Sequence, residues 1–199
     1  MFIQVVRGKV KDAAATRAAS QEWQSELAPG AKGFLGATEG VAADGTFVAI
    51  VRFESEAAAR ANSVRPEQGA WFEKASKSFE GDVTFYDCPR VETFQGGGSD
   101  DAGFVQVMVY KPSDVGAVLE MSKEFEKIAQ MRPDILGGTT AIANDGTVID
   151  TNYFTSEAEA RAGESQMMTP EVQDIMDRFG RLTGEIQFID LTDPWMHSA

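Results

Sequence analysis

A chain of 199 residues, 43% hydrophobic and 10% aromatic, can bury one or two cores, and no apolar run in it is long enough to span a bilayer. Its net charge of −13 argues against nucleic acid or an anionic membrane as partner, because both attract basic surfaces. The single cysteine, Cys88, excludes an internal disulfide and a cysteine-based metal cluster, and reads as a small residue filling space after a strand. Residues 1–6 alternate like a strand rather than carrying the basic start and apolar centre of a leader, so a cytoplasmic protein is expected.

In chain order, residues 2–7 predict a first strand. Asp12 predicts the cap of a helix running to about Leu27, with Ala15, Ala19, Trp23 and Leu27 on one stripe, and Pro29-Gly30 ends it. Strands over about 34–42 and 46–53 flank Asp44-Gly45, a pair suited to the positive φ of a tight hairpin turn. Ser55 predicts the cap of a short helix. Pro66 opens another, with Phe72 and Phe79 on its buried side, and a strand over about 82–87 follows. Gly96-Gly97-Gly98-Ser99-Asp100-Asp101 then reads as a flexible, solvated linker. A phosphate-binding glycine loop would need a helix directly after it, and here a strand follows.

The order then begins again. Phe104 to Val107 echo Phe2 to Val5, and a helix after Ser113-Asp114 presents Val118, Met121, Phe125 and Ile128 as an apolar seam. Strands over about 135–143 and 147–154 are joined by Asp145-Gly146. Ser156 with Glu159 fits a capping box, Thr169-Pro170-Glu171 starts a helix with Val172, Ile175, Met176 and Phe179 inward, and residues 185–190 close the sheet. Asp44-Gly45-Thr46, Phe53, Ser55-Glu56-Ala57 and Arg60-Ala61 recur, all at an offset of 101, as Asp145-Gly146-Thr147, Phe154, Ser156-Glu157-Ala158 and Arg161-Ala162. Residues 1–97 carry 11 basic and 13 acidic groups and residues 98–199 carry 7 and 18, so the second copy is the acidic one. Solubility explains that drift without a partner.

Each half reads β-α-β-β-α-β with its second helical segment broken in two, which is the ferredoxin-like order. On the element order, the duplicated hairpin and the aromatic followed by Ser-Glu-Ala, the chain resembles the dimeric α+β barrel superfamily of antibiotic-biosynthesis-monooxygenase-like and stress-responsive proteins. Within it, the chain is similar to tandem-repeat proteins of actinobacterial type. In that superfamily two subunits normally form the barrel. The resemblance implies an α+β fold in which two tandem ferredoxin-like repeats form one pseudo-symmetric barrel, with a first half over 1–95, a linker over 96–103 and a second half over 104–199. Both a monomer and a homodimer are compatible with that duplication.

The resemblance also implies three kinds of site. Haem-binding members hold iron through a histidine on a helix, and the one histidine here, His197, lies in a tail expected to fray, so haem and other cofactors are not expected. Monooxygenase members place Asn, Trp, His or Arg around a cavity. Trp71 and Arg52 fall in suitable segments, although core packing accounts for Trp71 and solvent for Arg52. Tyr153 stands at the place of Arg52, and the two could hold an anionic or phenolic ligand. Isomerase-like members use an acid–base carboxylate.

The third strand of each half differs in a way that bears on this. Ala49 and Val51 become Asp150 and Asn152, two residues apart and so on one face. They are the candidate catalytic pair if that face lines a wet cavity; the acidity of this half favours the alternative, that it turns to solvent. Gln4 and Gln106 occupy one place in the two first strands, and are expected to bind a ligand or each other across the pseudo-twofold. The tail Asp193-Pro194-Trp195-Met196 is apolar enough to dock. These readings imply a cofactor-independent, monooxygenase-like enzyme acting on a small aromatic or polyketide-like molecule; the alternatives are a non-catalytic small-molecule-binding protein and a stress-related barrel whose interior is all core.

Overall fold

The computed structural model describes residues 1–166 and 169–198, which form ten strands and six α-helices. In the first repeat these are β1 (Phe2–Val10), α1 (Ala13–Glu22), β2 (Phe34–Val41), β3 (Thr46–Phe53), α2 (Glu56–Ser63), α3 (Pro66–Ala75) and β4 (Phe79–Cys88). A short strand, β5 (Arg90–Phe94), comes next. The second repeat has β6 (Phe104–Tyr110), α4 (Val115–Gln130), β7 (Ile135–Ile142), β8 (Val148–Phe154), α5 (Glu157–Gln166), α6 (Pro170–Thr183) and β9 (Ile186–Leu191), and β10 (Trp195–Ser198) ends it. Among the described residues no helix is long and apolar enough to cross a membrane.

Each repeat builds the expected four-stranded antiparallel arrangement and adds one edge strand. The orders are β10-β2-β3-β1-β4 and β5-β7-β8-β6-β9. The hairpins form where Asp-Gly stands: the Asp44 carboxylate accepts from the Thr46 amide at 2.9 Å and hydroxyl at 3.0 Å, and Asp145 does the same for Thr147 at 3.0 Å. Gly45 and Gly146 follow at φ 82° and 84°, which a side chain would resist. Asp12, Ser55 and Asp114 cap α1, α2 and α4, each accepting from the amide three residues on.

The division of the chain differs from the one read in the sequence. One compact unit is Met1–Val91 with the C-terminal segment from Asp193, and the other is Glu92–Thr192. Residues 95–103 are irregular, and the strands on which the boundary turns are β5 and β10. β5 follows the first repeat and flanks β7; β10 follows the second and flanks β2. The tail therefore adds a strand to the first sheet. Glycines admit both arms. At Gly36 (φ 138°) an added Cβ would lie 2.5 Å from the His197 carbonyl, and at Gly137 (φ 147°) it would run into the carbonyl of Gly97. Both sit at register shifts in otherwise regular pairings with β3 and β8.

Two helical details also depart from expectation. In α1 the buried positions are Thr16 and Ser20, followed by Trp23 and Leu27 in a π-helical turn, while Ala15 is exposed. Phe79 opens β4 rather than extending α3, and packs on Phe47 at 5.5 Å.

Candidate functional site

Alternation along the first sheet places Val6 of β1, Ala37 and Glu39 of β2, and Phe47, Ala49 and Val51 of β3 on the face that α1 and α3 cover. Small side chains stand on both layers, Ala37 and Ala49 below and Ala19 and Ala75 above, so the layers do not fill the space between them. The result is a small cavity of about 100 Å³, partly open to solvent. Its walls are largely aromatic: Trp23, Trp71, Phe72 and Phe79. Each indole N–H has a partner, Trp71 donating to the Ala19 carbonyl at 2.9 Å and Trp23 to Gln68 Oε1 at 2.6 Å, so the rings are held in place. The Asn62 amide shares the same Gln68 oxygen at 3.4 Å.

One carboxyl faces this apolar space. Glu39 is half-buried, and its exposed part lies in a cavity rather than on an open surface. Burial pushes its carboxyl up to about 7, and a hydrogen bond from Ser20 pulls the other way without winning. Ser20 donates to Glu39 Oε2 and also lies 3.3 Å from His197 Nε2. β10 brings the imidazole there: Trp195 pairs with Glu39, Met196 with Thr38 and His197 with Ala37, so Trp195 and His197 share the cavity face of the sheet. Trp195 packs on Phe47 and Ala49 at 8% exposure, and His197 is buried at 9%. Arg17 of α1 clamps this arm, donating to Asp193 at 2.6 Å and lying 5.3 Å over the Trp195 ring.

The equivalent place in the second repeat is closed. Thr140 pairs with Asp150 as Glu39 pairs with Ala49, so the carboxylate stands on the opposite member of the same cross-strand pair. Tyr110 pairs with Val148 as Gly8 pairs with Phe47, and its ring packs among Val118, Met121, Ile142 and Phe179. The Tyr110 hydroxyl donates to Asp150 Oδ2 at 2.7 Å, and Thr140 donates to Oδ1 at 2.6 Å. Burial raises the Asp150 carboxyl against both hydrogen bonds; burial and the neighbouring carboxyl raise the Tyr110 phenol.

The structure separates the residues singled out in the sequence. Trp71 lines the first-repeat cavity. Asp150 turns neither to solvent nor to an open cavity: it is 9% exposed and held by two hydroxyls, those of Tyr110 and Thr140. Asn152 follows it on the same face, half-buried opposite Gln106 and Gly138. Tyr153 is fully buried on the other face of β8. Arg52 stands at the matching place in β3 and donates to the Thr38 hydroxyl at 3.0 Å. Gln4 and Gln106 each donate to the residue beside them on the fourth strand of their repeat, Gln4 to Asp87 at 2.8 Å and Gln106 to Asp190 at 3.0 Å.

Glu39, Ser20 and His197 escaped the sequence reading. A signal existed for the first, a carboxylate between Ala37 and Val41 on the alternating face of a strand. Ser20 is hidden by a one-residue error in the helix stripe, and nothing local marks His197.

No protein-family model matches the sequence, and no curated protein sequence matches it. Solved structures do resemble it. A candidate monooxygenase of Fusobacterium nucleatum subsp. nucleatum superposes with a TM-score of 0.77 at 10% identity, covering 99% of this chain and 94% of the other. One from Lactobacillus acidophilus gives 0.72 at 10% identity over 99% and 95%. An anthrone oxidase-like protein gives 0.69 at 9% identity over 98% and 92%. With two βαββαβ repeats in one chain and likeness along its whole length, the protein has the tandem ferredoxin-like α+β fold of these structures.

Proposed function

We propose that the first-repeat cavity binds a small aromatic or polyketide-like molecule, and that the protein is a cofactor-independent, monooxygenase-like enzyme acting on it. One observation carries this reading: a single carboxyl, Glu39, set in a cavity walled by Trp23, Trp71, Phe72 and Phe79. Flat apolar walls suit a fused ring, and a carboxyl titrating near neutrality suits removing a proton from a carbon acid. Likeness to an anthrone oxidase-like protein suggests the substrate type to try first.

For an anthrone the chemistry balances without a further reactant. Glu39 as carboxylate takes a proton from the ring CH2, and the resulting enolate is electron-rich enough to reduce O2. Coupling at that carbon and return of the proton give a hydroperoxide, which loses water to the quinone: anthrone and one O2 become anthraquinone and one water. Trp71 would lie against the ligand in this reading, while Asp150 would serve the core of the second repeat.

Anthrone in an oxygen-electrode assay, with quinone absorbance and tryptophan fluorescence followed in parallel, tests this. Wild type should consume one O2 per quinone formed, and Glu39→Gln should lower the rate by about 100-fold or more, the usual worth of a general base. Fluorescence quenching without oxygen uptake would instead make the protein a small-molecule-binding one. Neither quenching nor uptake would reject the site.

A further inference from the structure

A proton taken by Glu39 sits in a largely apolar cavity, and the geometry shows where it can go. We propose that Ser20 and His197 are positioning residues that form a proton relay from Glu39, so that the first-repeat site is completed by the last strand of the chain. This rests on the reading of Glu39 as the base.

Three observations converge on it. Ser20 Oγ is hydrogen-bonded to Glu39 Oε2 and lies 3.3 Å from His197 Nε2, so one hydroxyl stands between a carboxyl and an imidazole. All three are removed from bulk water: Ser20 and His197 are 7% and 9% exposed, and Glu39 opens to the cavity. The imidazole is not there by chance of a frayed end. Four successive pairings with β2 and a glycine at position 36, where any side chain would strike the His197 carbonyl, fit β10 to this place.

A hydroxyl can donate to one neighbour while accepting from the other. With Glu39 protonated, its O–H donates to Ser20 Oγ, and the Ser20 O–H donates to Nε2 of a neutral imidazole that carries its proton on Nδ1. Transfer along this chain moves the carboxyl proton to Ser20 Oγ and the former Ser20 proton to Nε2. It leaves a carboxylate, an intact serine hydroxyl and an imidazolium. In reverse, the imidazolium reprotonates Glu39 for the return step. No atom is lost and no oxidant is needed.

Other charged groups on the surrounding elements are already engaged. On α1, Arg17 pairs with Asp193 and lies over Trp195, and Glu22 pairs with Lys74 of α3. Arg52 of β3 donates to Thr38 on β2. Glu39 is joined to His197 through a single hydroxyl, that of Ser20.

The chain has one histidine, so its imidazole C–H resonance in a proton NMR spectrum is assigned without ambiguity. Titrating it in the full-length wild type, Glu39→Gln and Ser20→Ala proteins tests the relay without needing turnover. In the wild type the chemical shift should move in two steps, one being its own protonation and the other that of Glu39. In Glu39→Gln the curve should become a single step, with its midpoint lower by about one pH unit once the facing carboxylate is gone. Ser20→Ala should move both steps while leaving the fold intact. Superimposable curves in the three proteins overturn the relay, as does a single-step wild-type curve should either variant fail to fold. The outcome is separable from the substrate reading: coupled titration with no oxygen uptake keeps the relay and rejects the oxygenase. Where uptake is present, Ser20→Ala should displace the acidic limb of the kcat profile with little change in KM.

Discussion

Both repeats bury a carboxyl at the same cross-strand pair, and they treat it in opposite ways. On β2, Glu39 faces a cavity and one hydroxyl; on β8, Asp150 faces two hydroxyls and a packed ring. The backbones supply nearly the same pairings, so the difference comes from a few side chains. The Tyr110 ring packs under the helices of the second repeat where the first has Gly8 with the Phe79 ring over it, and Ala49 against Asp150 decides which strand carries the charge. A buried carboxyl surrounded by donors is a structural part, while one left facing open space can exchange a proton with something that enters.

Removing what closes the second repeat should have the largest effect. Tyr110→Ala takes away a nearly fully buried ring and the Asp150 donor together, and should cost about 3–5 kcal/mol in urea unfolding. A loss under about 1 kcal/mol would mean that the ring does not seal the repeat.

The next contrast is in pH. The folded Glu39 carboxyl titrates near 7, against an ordinary 4.5 for a free glutamate. A carboxyl raised in the folded state holds its proton where the unfolded chain has lost it, so stability is greatest in acid and falls as pH rises from about 4.5 to about 7. The upper limit of that fall is about 3 kcal/mol, reduced by whatever solvent enters the cavity. Unfolding curves at several pH values should show the slope in wild type and a shallower one in Glu39→Gln. Asp150, raised by burial as well, contributes equally to both proteins and drops out of the difference.

The smallest effect should come from Asp150→Asn. The amide oxygen can accept from Tyr110, and the amide N–H2 can donate to the Thr140 hydroxyl, so stability near neutral pH should change by about 1 kcal/mol or less. A much larger loss would show that the charge itself, rather than its hydrogen bonds, holds this core together.

The repeat, its hairpins and most of its caps were legible because local chemistry specifies them. Asp-Gly needs no distant partner to make a turn, and Asp12, Ser55 and Asp114 act on amides three residues away. The α1 stripe was read one residue off at its start. Four-residue steps overrun the 3.6-residue turn, so a line through Ala15 and Ala19 drifts away from the buried row of Thr16, Ser20, Trp23 and Leu27. That drift concealed Ser20. Asp150 looked ready for solvent because its donor, Tyr110, lies 40 residues earlier. β5 and β10 were unreadable as sheet members for the same reason: short strands carry little pattern, and what makes them strands is an edge formed elsewhere in the chain.

The placement of β10 also sets an order of events during synthesis. β2 leaves the ribosome roughly 150 residues before the strand that covers its edge. At 5–20 residues per second, that edge stays bare for about 10–30 s in each newly made molecule. Over that interval Glu39 has neither Trp195 beside it nor His197 within reach. The first repeat can fold early, yet its proton chemistry waits for β10.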